Sequence, residues 1–123
     1  MTSTYHFGLL ILRITFSAMM LTHGIPKLLS VLQGDFGFSD PIGIGSTLSK
    51  ILVVIAEVVC PLFIILGYKT RLATIPPMIA MLVVAFVVNS GNDFSSQEKA
   101  LLFASAFLVM ALTGAGKFSI DKK

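Results

Sequence analysis

The chain has 123 residues, of which 55% are hydrophobic and only 12% charged, about half the charged fraction of a soluble domain. With a mean hydropathy of +0.93 and a length sufficient for one domain, it cannot hide its apolar surplus in a small globule, so most of its surface has lipid as solvent. The net charge of +3 sits on cations scattered at segment ends, which excludes a nucleic-acid surface, and the single Cys60 excludes an internal disulfide or a Cys-x-x-Cys redox pair.

The first apolar run, about 6–29, contains "LLILRITFSAMMLTHGIPKL", which embeds Arg13, His23 and Lys27 in apolar sequence. It lacks the basic start of a secretory leader and ends in "HGIPKLL" rather than in small residues, so it reads as a membrane span. A connection "QGDFGFSDPIGIGS" follows, long for a helical bundle and suited to a lid on one face. The second run, 48–67, carries only Glu57 among apolar residues after Lys50 and contains Pro61. The third and fourth runs, 72–90 and 98–115, follow "GYKTR" and "NSGNDFSSQ". Each run has the roughly 17–25 residues that a spanning helix needs. The expected architecture is all-α, an integral-membrane four-helix transmembrane bundle formed by one domain over 1–123.

Four spans put both termini on one side. That side holds Lys69, Arg71, Lys117, Lys122 and Lys123 against Lys27, Lys50 and Lys99 on the other. The excess marks the termini as cytoplasmic.

On the first helix Arg13, Phe16, Met20, His23 and Lys27 follow steps of three and four residues. All three charged or ionisable groups therefore share one face. A charge in hydrocarbon costs about 2.5–3.5 kcal/mol or more, so this face must turn toward protein or water. Counting 1.5 Å per residue from the helix ends brings Arg13 near the depth of Glu57, and the two form the expected buried ion pair. Such a pair serves as a clamp on helix register as readily as in chemistry. Pro61 lies four residues beyond Glu57 and has no N–H to offer its carbonyl, which predicts a kink beside the carboxylate.

Toward the opposite face, His23, Lys27, Asn89 and Glu98 fall at a common depth, with Glu57 beneath them. They form the candidate ligand-binding set, roofed by residues 30–47. Glu98 also suits a plain helix N-terminus, with Ser95 and Ser96 as caps, and His23 suits a hydrogen-bonded core position.

Three segments together resemble the DoxX family of small four-helix membrane proteins along essentially the whole chain. They are "LRITFSAMMLTHGIPKL" with Arg13, His23, Gly24 and Lys27, "AEVVCPLFIILGYKTRLA" with Glu57, Gly67, Thr70 and Arg71, and "EKALLFASAFLVMALTGAGKFSID" with Glu98, Gly114, Gly116, Ser119 and Asp121. The resemblance implies a multi-pass protein of the bacterial inner membrane. Family members include subunits of thiosulfate:quinone oxidoreductase, and relatives are linked to quinone stress and to membrane redox complexes.

Three functions follow as expectations. The first is a redox component that binds a quinone-like or other small oxygen-rich ligand, with donors from His23, Lys27 and Asn89 and proton relay through Glu57 or Glu98. It has no intrinsic cofactor: a haem would need two axial ligands, and His6 and His23 are about 25 Å apart on one helix. Electrons would come from an oxidoreductase partner or a bound quinone. The second is a non-catalytic assembly or anchor subunit, and the third a small transporter built as a homodimer. In a Cys60→Ser background, a new cysteine beside Asp35 or Asp93 should react with an impermeant maleimide added outside, and one beside Lys69 should not. External labelling at Lys123 would reverse the orientation.

Overall fold

The computed structural model describes residues 3–35, 37, 43–88, 91 and 93–122. Within them the chain forms four helices. Helix α1 is Ser3–Leu32, α2 is Ser46–Leu66 and α3 is Thr70–Val88, and α4 is Phe94–Thr113. The first three are long and apolar enough to cross a membrane. In α4 the polar run Gln97, Glu98, Lys99 occupies the first turns and leaves the apolar stretch shorter. Helix α1 packs along α2 and α3 along α4, while α1–α4 and α2–α3 contacts close the ring.

The helix ends differ from the sequence expectation for local reasons. Helix α3 starts at Thr70 rather than 72 because the Asp121 carboxylate accepts hydrogen bonds from the backbone N–H groups of Lys69 and Thr70, each at 2.9 Å. Those are two of the donors a helix start leaves unpaired. Helix α4 begins at Phe94 rather than 98, with Asp93 in extended backbone as its N-cap residue. Ser95 and Ser96, expected as caps, stand inside the helix rather than at its N-cap position. Gly114 closes α4 at φ 76°.

The core gathers Met20, Ile64, Met81, Phe103, Phe107 and Met110 from all four helices. Every helix also presents apolar side chains outward: Leu72 and Leu112 are each 70% exposed, and Phe86 is 60% exposed. Such a belt would be a liability in water and is what lipid requires. The expected inward face of α1 is present, since Arg13 and Met20 are buried and Phe16, His23 and Lys27 are partly covered.

Two helices depart from α geometry at mid-length. In α2 a π turn spans Ile55–Val59, with the Cys60 N–H donating to the Ile55 carbonyl. It stands immediately before Pro61 and takes up the disruption that the proline imposes, so the expected kink appears as a widened turn around Glu57. In α3 a second π turn spans Val84–Val88, and the Gln97 side-chain amide donates to the Ala85 carbonyl at 2.9 Å. The long first connection is anchored by Lys50, which donates to the Asp35 carbonyl at 2.8 Å. Of the lid expected over 30–47, the ends belong to α1 and α2, and residues 36 and 38–42 lie outside the described residues.

Register between α1 and α2 is set by Gly24. A β-carbon there would stand 2.6 Å from the Glu57 carbonyl oxygen and 2.7 Å from its Cβ. Both are backbone-proximal atoms that cannot swing aside. Gly24→Ala should therefore lower stability by about 1–3 kcal/mol, the usual cost of forcing atoms into a packed interface. Gly8→Ala on the same helix meets nothing within 4 Å and should be neutral or stabilising by up to about 1 kcal/mol. Thermal unfolding in detergent compares the two, and equal shifts would mean that α1 and α2 are not in this contact.

Candidate ligand site

Helix register decides which charges meet. Gly24 faces Glu57, so Lys27, one turn beyond Gly24, comes level with the Glu57 side chain. Its ammonium donates to Glu57 Oε1 at 2.8 Å and Oε2 at 3.1 Å. The Glu57 side chain is only 3% exposed, while that of Lys27 is 33% exposed. The carboxylate is fully enclosed and the lysine reaches it from the rim.

The expected Arg13–Glu57 pair is therefore incorrect. Antiparallel packing runs from the Gly24–Glu57 contact down to Arg13 against Gly67, and about 15 Å separates those two levels. Counting depth from the ends of the apolar runs had set Gly67 level with residue 6. In the structure the C-terminal tail folds beneath the bundle, and α1 overhangs Gly67 by two further turns. Arg13 donates to the Phe118 carbonyl at 2.7 Å and to the Ile64 carbonyl at 3.4 Å. Among the described residues no carboxylate forms an ion pair with it.

The tail is held closely enough to explain this. The Lys117 N–H donates to His6 Nδ1 at 3.0 Å, and the Ile120 and Asp121 N–H groups donate to the Leu66 and Gly67 carbonyls. Gly67 adopts φ +72°, and a β-carbon there would collide with Ser119 Cβ and lie 2.6 Å from an Arg13 nitrogen. Glycine is required on both counts. His6 and Phe118 both take part in this closure of the terminal face.

Beside the Lys27–Glu57 pair lies a cavity of about 220 Å³, lined by His23, Lys27, Glu57, Met81, Val84, Lys99, Ala100 and Phe103. His23 meets the Phe103 ring edge to face, with centroids 6.0 Å apart. Of the expected ligand set, His23, Lys27 and Glu57 come together here. Asn89 lies outside the described residues. Glu98 does not line the cavity: it is exposed, as is Ser105 seven residues on, and the next residue, Lys99, takes its place. The reason is helical phase. The buried face of α4 runs through Ala100, Phe103, Ala104 and Phe107, and Lys99 falls on its edge while Glu98 is turned away by a further 100°. Reading that stripe in the sequence would have selected Lys99.

These features define an all-helical membrane protein with an enclosed charged pair next to a small polar cavity. The chain belongs to the DoxX family, whose model matches residues 8–90. It is also 32% identical over 121 residues to an uncharacterised protein of Haemophilus influenzae, covering 91% of this chain and 87% of that one. No solved structure matches it. The family match takes in Arg13, His23, Gly24, Lys27 and Glu57, and so covers the ion pair and three of the four helices that line the cavity.

The unequal burial of the pair yields an asymmetric prediction. Lys27→Met leaves an enclosed carboxylate without its cation and should destabilise by about 3–5 kcal/mol. Glu57→Gln should cost less, because Lys27 can turn toward the rim. The double variant should recover most of the Lys27→Met loss. Unfolding midpoints in detergent supply the cycle, and additive losses would show that the two side chains are not coupled.

Proposed function

We propose that this DoxX protein is the membrane-embedded component of a redox system. Its role is to hold the ring of a quinone, or of another small oxygen-rich ligand, in the cavity beside Lys27 and Glu57. One observation carries the reading: an enclosed carboxylate, an ammonium and an imidazole border the same small cavity. A quinone carbonyl accepts hydrogen bonds, and Lys27, Lys99 and the His23 ring are the available donors. Glu57 can take up or return the proton that accompanies quinone reduction. The Phe103 ring offers an aromatic wall. The bilayer delivers the ligand, and an oxidoreductase partner exchanges electrons with it. By the excess of Lys and Arg on the terminal face, both termini stand in the bacterial cytoplasm and the cavity lies toward the outer half of the inner membrane.

The test is binding of a tailless probe, 2,3-dimethoxy-5-methyl-1,4-benzoquinone, to purified protein by equilibrium dialysis. His23→Ala and the pair variant Lys27→Met with Glu57→Gln should each weaken binding about tenfold or more, the loss of one charge-assisted or well-placed hydrogen bond. Cys60→Ser, buried in the core away from the cavity, should bind like the wild type. If the pair variant binds as tightly as the wild type, the charges are structural and the assembly-subunit reading replaces this one.

A further inference from the structure

Two hollows meet at the Lys27–Glu57 pair. Besides the polar cavity, an apolar groove of about 370 Å³ runs between α2 and α3, lined by Val53, Ala56, Ile79 and Ala80 among others. Its only charged lining residues, among those described, are Lys27 and Glu57, and both also line the polar cavity. The groove exists because small side chains, Ala56 and Ala80, stand where the two helices face each other, and because the π turn at Ile55–Val59 widens α2 at that level.

Size and polarity together restrict what can lie there. Sites for whole small molecules usually enclose about 300–1,000 Å³, so the 220 Å³ polar cavity holds little more than a ring. The groove, at about 370 Å³, is within the usual range for a small-molecule site and is continuous with the charged pair at its end. A purely apolar occupant would leave the charged end unmatched, and a purely polar one would leave the aliphatic walls unmatched. An amphiphile satisfies both.

We propose that the groove between α2 and α3 receives the apolar tail, isoprenoid or alkyl, of the same ligand whose head occupies the polar cavity, so that the ligand enters sideways from the bilayer. The inference rests on the function proposed above and adds the ligand's class and its route. Transfer of apolar surface between lipid and groove is close to neutral, so the tail contributes mainly by positioning the head at Lys27–Glu57.

The experiment compares the tailless benzoquinone with the same ring bearing a decyl chain, in protein reconstituted into lipid nanodiscs, with concentrations expressed per membrane volume. The variants are Ala80→Leu and Ala80→Phe, which fill the groove progressively. The expected result is graded weakening for the decyl compound, reaching about tenfold with Ala80→Phe, and unchanged affinity for the tailless ring, which also shows that the variants are folded. Equal weakening of both compounds, or of neither, overturns the tail assignment and leaves the head site standing. Wild-type protein that binds neither compound overturns the proposed function itself, and the tail assignment with it.

Discussion

The approach of Gly24 to the Glu57 backbone fixes the register between α1 and α2, and that register distributes the buried charges of the bundle. With the two helices in contact there, Lys27 stands level with the Glu57 carboxylate and Arg13 stands level with Gly67. Shifting α1 by one turn would part the ammonium from the carboxylate and drive a side chain into the Glu57 carbonyl. The polar cavity, the groove between α2 and α3, and the closure of the terminal face all inherit their positions from this contact.

Two different solutions to a charge in an apolar setting follow along α1. Lys27 is met by the enclosed carboxylate of Glu57, so each charge has its counterion within hydrogen-bond reach. Arg13 is met by backbone carbonyls from α2 and the tail. A guanidinium presents five donors in a fixed fork and stays charged in almost any setting, so oriented carbonyls can serve it where a lysine would be poorly held. Asp121 is committed to the N–H groups that open α3. The tail thus ties the first, second and third helices together on one face, while the Lys27–Glu57 pair joins the first two near the other.

The four helices and the inward stripe of α1 were legible because apolar run length and a three-to-four period are local properties of the chain. Gly24, Lys27 and Glu57 were visible as residues, and His23, Lys27 and Glu57, grouped by face and depth, line one cavity. The partner of Arg13 was not legible. It depends on the tail after Gly114, whose residues 115–122 fold under the bundle, and no periodicity marks a backbone carbonyl as a ligand. Glu98 shares the depth of the cavity, but the helical phase set by Phe103 and Phe107 turns it away and brings Lys99 to the edge instead. The π turns had a sign only in α2, where Pro61 follows Glu57. In α3 no proline follows the turn at Val84–Val88; Pro76 and Pro77 lie well before it.

The central claim is that the Lys27–Glu57 pair borders an occupied ligand site. Native mass spectrometry of the protein extracted in mild detergent from the membranes that express it tests this most directly. The account predicts an adduct with the mass of an isoprenoid quinone or a similar oxygen-bearing amphiphile, present on the wild type and lost from the Lys27→Met, Glu57→Gln double variant. An adduct kept unchanged by the double variant, or a wild-type protein that carries none even after incubation with excess quinone, would contradict it.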